Sequence, residues 1–306
     1  MFPENRSPAS EFVPEISVCV PIYNEEDSVG PLCEAIVAAL EPTGRDFEMV
    51  LVDDGSTDLS VERLTKIAER DPRLVVVCFQ RNYGQTAAMM AGIDHARGRY
   101  VVTMDGDLQN DPLDIPMMLE KLDKGYDLVV GYRINRQDKF FSRKLPSKIA
   151  NALIGWTTGL RIRDNGCSLK VYRADVIQRT PLYADMHRFI PVMSLPLGAR
   201  VAEVGVRHHA RRFGESKYGL SRIFKVLLDL VTIKTLQLFS RRPLARFSSG
   251  ATLSALAAVV MHFALRSEDV VISTTVTGLL FGLSVFLFFL GLVTGAMYQG
   301  SEKGSP

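Results

Sequence analysis

The sequence predicts an open α/β sheet of mainly parallel strands, followed by amphipathic interfacial helices and two transmembrane helices. Three observations point to it. Short β-branched runs alternate with segments of helical length through the first half of the chain. Acidic clusters stand directly after the first, second and fourth of these runs. Two long stretches without Asp, Glu, Lys or Arg lie near the end.

Taken in chain order, residues 1–14 are polar and contain Pro and Ser; they read as a disordered segment with no signal-peptide core. The strand-like runs are 16–20, 47–52, 74–79, 100–104 and 127–131, and the helical segments between them are 27–40, 59–70, 85–97 and 112–124. Several of the helical segments open with a capping residue or an early Pro. Strand then helix, repeated, implies parallel strands joined by right-handed crossovers. In such sheets ligands bind beyond the carboxyl ends of the strands. Those ends carry Pro21-Ile22-Tyr23-Asn24-Glu25-Glu26, Asp53-Asp54-Gly55-Ser56 and Asp105-Gly106-Asp107.

Residues 247–265 form 19 positions without a charged residue and 270–299 form 30, and roughly 20 apolar residues cross a bilayer as a helix. Arg266-Ser267-Glu268-Asp269 reads as a tight turn between them. Between Arg207 and Arg246 ten Lys or Arg face two acids, Glu215 and Asp229, which places that flank in the cytoplasm by the positive-inside rule. The expected organisation is a cytosolic catalytic domain over 15–216, interfacial helices over 217–243, a two-helix transmembrane domain over 244–299 and a tail over 300–306. Both termini are then cytoplasmic, at the inner membrane.

Composition narrows the function. With 36 Lys plus Arg against 34 Asp plus Glu, the formal charge of +2 excludes a histone-like polyanion binder, and no nucleic-acid partner is expected. The mean hydropathy of +0.09 is concentrated in the C-terminal stretches. The four cysteines are scattered and read as reduced. Among the five histidines His208 and His209 are adjacent rather than at metal-ligand spacing, so no zinc site is expected. No Gly-x-Gly-x-x-Gly follows the first strand, and the Gly295-to-Ser301 run lacks the Lys of a phosphate loop. Carboxylates take the place of a glycine cradle, and they hold a diphosphate through a divalent cation. Asp105 and Asp107 suit that task, with Gly106 permitting the turn. An isolated Asp-Gly-Asp is an ordinary turn; three acidic clusters at successive strand ends point to a site.

The runs 20–26, 52–58, 105–109 and Phe213-Gly214-Glu215-Ser216-Lys217-Tyr218 together resemble the family-two glycosyltransferases. Within them the likeness is to the polyprenyl-phosphate group, of the dolichol-phosphate mannose synthase, bactoprenol-phosphate glucosyltransferase and undecaprenyl-phosphate aminoarabinose transferase type. It covers about residues 15 to 299. The resemblance implies the glycosyltransferase A fold, a nucleotide-diphosphate sugar donor, Mg²⁺ or Mn²⁺, and a polyprenyl phosphate acceptor. It also implies that Pro21, Tyr23, Asn24, Glu25, Asp53 and Asp54 bind the donor together with Asp105, Gly106 and Asp107. Asp105, Asp107 and Gln109 would face the metal. Two departures stand out: Asp-Gly-Asp replaces the Asp-Ala-Asp of many relatives, and Cys167 occupies the position after Gly166 where some relatives place a candidate base. Asp164 is the nearest carboxylate to that position.

Sugar transfer to a lipid phosphate needs stabilisation of the leaving diphosphate, which a divalent ion supplies as a Lewis acid. The nucleophilic phosphate is already ionised near neutral pH, its second pKa being about 6, so a strong base is dispensable. Fixed cations must instead hold one anion against another. Arg212, Ser216 and Lys217 offer two cations and a hydroxyl within six residues, and Lys170 and Arg188 follow by family likeness. The segment 217–240 reads as interfacial and 140–156 as an acceptor loop or a surface helix. Gly278-x-x-x-Gly282 and Gly291-x-x-x-Gly295 allow close helix approach and a homo-oligomer. The expected function is an inverting glycosyltransferase that charges a polyprenyl phosphate from a UDP-sugar on the cytosolic leaflet, yielding a lipid-linked monosaccharide for envelope glycan. The alternatives are a processive polysaccharide synthase, whose Gln-x-x-Arg-Trp is missing around the single tryptophan Trp156, and a silent membrane scaffold.

Overall fold

The structure, a computed structural model, describes residues 13–134, 155, 158–180, 186–210, 235, 243–265 and 270–302. It divides into two compact units, 1–229 and 230–306.

The first unit is built on a sheet that has seven strands among the described residues: β1 (Ile16–Ile22), β2 (Phe47–Asp53), β3 (Leu74–Cys78), β4 (Tyr100–Thr103), β5 (Leu128–Arg133), β6 (Lys170–Arg173) and β7 (Val201–Val206). Between the early strands run α1 (Val29–Leu40), α2 (Ser60–Ala68), α3 (Gln85–His95) and α4 (Ile115–Asp123). The order across the sheet is β3-β2-β1-β4-β6-β5-β7. β1 pairs parallel with β2 and with β4, and β2 pairs parallel with β3. β6 is antiparallel to both its neighbours, β4 and β5, while β5 and β7 are parallel. The fifth sequence-predicted strand therefore exists but does not sit beside the fourth; four residues of β6 separate them. Neither β6 nor β7 was anticipated, because Lys-Val-Tyr-Arg is too short to show a period and β7 is half-exposed.

Alternate residues of each central strand serve opposite faces, and both faces are covered, so β2 is buried at all seven positions. Val18, Val20, Met49, Leu51 and Val102 pack against Leu32, Ile36, Leu64, Ile115 and Leu119 of α1, α2 and α4. Cys19, Val50, Val52 and Val101 pack against Ala88, Met89 and Ile93 of α3, joined by Ile177 and Ile190 from short helices at Ala174–Ile177 and Ile190–Ser194. At the amino ends of β1 and β2, buried Glu48 is neutralised by Arg97 (Nη2 to Oε2, 2.8 Å) and accepts from Ser17 Oγ at 2.7 Å. The opposite, carboxyl edge is free for chemistry. Strand order reverses there: the chain leaves β1 for β2 on one side and later returns from β3 to β4 on the other.

The second unit holds two helices, Pro243–Ala264 and Val270–Glu302, each long and apolar enough to cross a membrane. Ser254 Oγ donates to the Leu280 carbonyl at 2.7 Å, and Gly291 lies where a Cβ would come within 2.8 Å of Phe247 Cβ. The second glycine pair thus serves the contact between these two helices, whereas nothing lies within 4 Å of a Cβ at Gly278 or Gly282. The expected interfacial helices over 217–243, the 140–156 segment, the 266–269 turn, and the 1–14 and 300–306 ends fall almost wholly outside the described residues.

One backbone approach fixes the active edge. Gly55 has φ +72°, and a Cβ there would meet Asn82 N at 2.7 Å and the Arg81 carbonyl carbon closer still. Gly44 has φ +67° with open space around it. Gly44→Ala should therefore lose about 1–2 kcal/mol of stability from the left-handed backbone alone. Gly55→Ala adds a main-chain clash and should lower the melting temperature distinctly more; equal shifts in a thermal melt would remove the steric argument.

Candidate active site

The loops after β1 and β2 are sewn together by their own polar side chains. Asn24, held at φ +53°, donates its N–H to Ser56 Oγ (2.9 Å) and accepts from Thr57 N–H on Oδ1 (2.8 Å). Glu25 N–H donates to Ser60 Oγ, Glu25 Oε2 accepts from Ser28 Oγ, and Glu26 N–H donates to Asp58 Oδ2, at 2.9, 2.9 and 3.1 Å. Tyr23 stands half-exposed above the end of β1, and Pro21 lies within that strand.

The two aspartates after β2 do different work. Asp53 Oδ2 accepts the N–H groups of Gly55 and Ser56, both at 3.0 Å. Its Oδ1 is buried without a hydrogen-bond partner among the described residues. Asp54 accepts Tyr83 N–H on Oδ1 (2.7 Å) and Gly84 N–H on Oδ2 (2.9 Å). Burial pushes the Asp54 carboxyl up, against those two donors. Asp54 thereby ties the loop after β3 to the site, and Arg81 lies over the exposed Tyr83 ring at 4.9 Å.

Asp105 and Asp107 close the group. Asp105 Oδ1 accepts from Gln85 Nε2 at 2.7 Å; burial, and then the Asp107 charge, push its carboxyl up. Buried Asp107 accepts Gln109 N–H on Oδ1 at 3.1 Å, across Leu108 at φ +59°. Two hard-oxygen carboxylates that repel each other fit an Mg²⁺- or Mn²⁺-type cation between them. Among the described residues no group of three or more His, Cys, Asp or Glu forms a complete metal cage, which suits an ion whose remaining ligands come from a diphosphate. A Cβ on Gly106 would meet the mobile end of Ile22 at 2.7 Å, so the glycine lets this turn lie on β1.

A layer of ion pairs lies close by. Asp164 is bidentate with Arg133, Oδ2 to Nε at 2.6 Å and Oδ1 to Nη2 at 2.9 Å. Lys170, only 2% exposed, donates to the Cys167 carbonyl at 2.5 Å. Burial lowers the Lys170 ammonium from its ordinary range, while Asp105 and Asp164 oppose that and Arg188 adds to it.

A family model, Glycosyl transferase family 2, matches residues 17–182, more than half of the chain. The chain belongs to glycosyl transferase family 2. Over 254 residues it is 50% identical to a dodecaprenyl-phosphate galacturonate synthase of Rhizobium johnstonii, covering 81% of this chain and 75% of that one. It is 42% identical over 252 residues to an undecaprenyl-phosphate 4-deoxy-4-formamido-L-arabinose transferase of Edwardsiella ictaluri, covering 82% and 77%. These relatives are polyprenyl-phosphate glycosyltransferases. The fold matches crystal structures of glucosyl-3-phosphoglycerate synthase from Mycobacterium tuberculosis. The complex with UDP gives a TM-score of 0.55 at 20% identity over 72% of this chain and 80% of that one. The complex with Mn²⁺, UDP and glucosyl-3-phosphoglycerate gives 0.52 at 18% over 73% and 79%. The mixed, mostly parallel sheet is the glycosyltransferase A fold.

In this family-2 chain Asp53, Asp54, Asp105 and Asp107 stand at or just after the carboxyl ends of β2 and β4. Asn24, Glu25 and Asp54 are engaged in holding loops. Gln109 pairs with the chain after β7: its carbonyl accepts His209 N–H at 2.9 Å and its amide lies 3.5 Å from the His209 carbonyl. Arg212, Ser216 and Lys217 lie outside the described residues. Sequence reasoning singled out the run Arg81-Asn82-Tyr83-Gly84-Gln85 by its likeness to the aminoarabinose transferases but gave Gln85 no role, and it missed Arg133 and the latch in which Arg207 pairs with Asp114 (Nη2 to Oδ1, 2.9 Å) and Asp111 (Nη1 to Oδ2, 3.2 Å). Those partners are distant in sequence, and only Gln85 had a local signal, its place after Gly84 at a helix start.

Cys167 follows Gly166, at the position where the resemblance to the family implied a candidate base. Burial pushes its thiol up to about 11, so it stays protonated at neutral pH. Cys167→Ala should keep most of the transferase rate and an unchanged pH profile; a tenfold or greater fall in kcat, about 1.4 kcal/mol, would give the thiol a role in the reaction.

Proposed function

We propose that this chain transfers a sugar from a nucleotide-diphosphate sugar, UDP-linked, to a polyprenyl phosphate at the cytosolic leaflet of the inner membrane. The product is a lipid-linked monosaccharide that serves envelope glycan assembly. The observation that carries this is the meeting of Asp105 and Asp107 at the order reversal of the sheet, in a chain half identical to a dodecaprenyl-phosphate galacturonate synthase. The names of the relatives point to a uronate or an aminopentose as the sugar, and galacturonate is the first to try.

In the reaction the C1–O bond to the donor's β-phosphate breaks and a C1–O bond to the acceptor phosphate forms, with inversion. The nucleoside diphosphate leaves. Asp105 and Asp107 would hold a divalent cation, which would supply Lewis-acid stabilisation of the leaving group. The orphaned Asp53 Oδ1 offers an acceptor to an N–H or O–H of the nucleoside, relieving an unsatisfied buried oxygen that costs about 1–3 kcal/mol. Tyr23 and Tyr83, both exposed, provide ring faces near that point. Arg188, Arg212, Ser216 and Lys217 are assigned to the acceptor phosphate. Asp164, locked to Arg133, is assigned to holding that guanidinium rather than to proton abstraction, because an ionised phosphate needs no base. Gly278 and Gly282, where a Cβ would meet nothing within 4 Å among the described residues, are assigned as the surface for a second copy.

The deciding experiment offers purified protein in detergent undecaprenyl phosphate, Mg²⁺ or Mn²⁺ and a panel of UDP and GDP sugars, and scores lipid-linked product with and without chelator. A chelator-sensitive product from a UDP-sugar is expected. Asp107→Asn should reduce it by at least a hundredfold with the melting temperature little changed, on the scale of lost electrostatic stabilisation. Tight nucleotide binding with no product from any donor would favour the scaffold reading.

A pH dependence follows from Asp105. Its carboxyl is raised in the folded chain, by burial first and Asp107 second. Protonation there favours the cation-free fold as pH falls, and it opposes cation binding over the same window, from the ordinary carboxylate value upward. The rise in melting temperature produced by Mn²⁺ with UDP should therefore shrink as the pH is lowered from neutrality towards that range. A rise independent of pH would take Asp105 out of the cation site.

A further inference from the structure

Three consecutive residues at the start of α3 reach three different parts of the site. Gly84, at φ +96°, donates its N–H to Asp54 Oδ2 at 2.9 Å. Gln85 donates from Nε2 to Asp105 Oδ1 at 2.7 Å. Thr86 Oγ1 lies 2.7 Å from Nδ1 of buried His187, the neighbour of Arg188. The positive φ at Gly84 and the N–H groups of Tyr83 and Gly84 on Asp54 fix where this turn begins, so the Gln85 side chain leaves the backbone at a defined place.

The chemistry of the Gln85 contact is specific. A carboxylate that is to hold a cation must be oriented without being neutralised. A Lys or Arg on Asp105 would orient it and also compete with the ion for its charge. An amide N–H donates one hydrogen bond and brings no net charge. Ser168, a second side-chain hydrogen-bond partner of Asp105 among the described residues, is likewise neutral. Asp105 thus receives neutral donors, and the cations Lys170 and Arg133 act on it through space.

Resting on the proposed function, we propose that Gln85 is a positioning residue for Asp105: its amide fixes one carboxylate oxygen so that the other, with Asp107, receives the divalent ion. Outer-shell partners of this kind typically set metal affinity by 10–100-fold.

The test uses the full chain in detergent and measures Mn²⁺ affinity in the presence of UDP, from the electron paramagnetic resonance signal of free Mn²⁺, beside the melting temperature without Mn²⁺. Gln85→Met keeps the length and helix preference of the side chain and removes the donor. It should weaken Mn²⁺ binding about tenfold or more with the cation-free melting temperature unchanged. Thr86→Val, which loses the contact to His187 instead, should leave Mn²⁺ affinity within about twofold of native. Gln85→Lys restores a donor but adds charge; it should hold or raise the cation-free melting temperature while weakening Mn²⁺ binding further, and it decides the matter if Gln85→Met does not fold. Native-like Mn²⁺ affinity in Gln85→Met or Gln85→Lys, or an equal loss in Thr86→Val, overturns the proposal. Native protein that binds no Mn²⁺ with UDP brings down the cation reading itself and this inference with it, an outcome visible before any variant is made.

Discussion

β1 has β2 on one side and β4 on the other, and the candidate donor residues take their places from that arrangement. A parallel sheet delivers the loops that follow its strands to one edge, but loops from neighbouring strands in a one-directional winding are carried away along it by their helices. Where the winding reverses, two successive loops open away from each other and leave a crevice between them. Here the crevice is flanked by the turn after β1, the Asp53–Asp54 pair and the Asp105–Asp107 turn. Buried Glu48, paired with the partly exposed Arg97, sits at the far end of the same strands, so the sheet's two edges divide structural and chemical charge between them.

The acidic residues of this edge look like an excess of ligands, and hydrogen bonding separates them. Asp54 takes two main-chain N–H groups, Asp58 takes those of Glu26 and Ser60, and Asp114 takes Arg207. Hydrogen bonds to charged groups contribute about 1.5–3 kcal/mol each, enough for a few of them to hold a loop that has little apolar area to bury. These carboxylates therefore act as internal struts. Asp105 and Asp107 differ in lying within each other's electrostatic reach, and Asp53 differs in having one buried oxygen without a partner among the described residues. The roles of a strut and a ligand are not visible in residue type; they depend on which backbone N–H arrives opposite.

That difference also accounts for what could be read from the chain beforehand. The strands from Ile16 to Thr103 have a strong apolar signature because both faces are covered, and the acids at their ends follow directly from the register. β6 is four residues long and antiparallel, inserted from the far side of the 135–157 segment, so nothing local announces its place between β4 and β5. The partners of Arg133 and Arg207 lie 31 and 93 residues away for the same reason. Gln85 is the instructive intermediate. Its backbone context was legible as a helix start after a glycine, but its target lies in the turn after β4, which reaches it only when the sheet is assembled.

The electrostatics close the argument. Asp164 is paired with Arg133, Asp105 lies within electrostatic reach of Asp107, Lys170 and Arg133, and Lys170 within reach of Asp105, Asp164 and Arg188. Apart from Asp53 and Asp54, three carboxylates and three cations balance in formal charge within this group of six. On the proposed reading, a divalent ion arriving alone would make it strongly positive and a diphosphate alone strongly negative, whereas together they nearly cancel. In a partly buried site, where unit charges a few ångströms apart interact by about 4 kcal/mol at an effective dielectric of 20, that difference favours joint over separate binding. On that reading the near-neutral cluster would favour the ion and the diphosphate as a pair over either alone. The neutral donors on Asp105 fit the same logic, since each orients the carboxylate without disturbing the balance on which the selection depends.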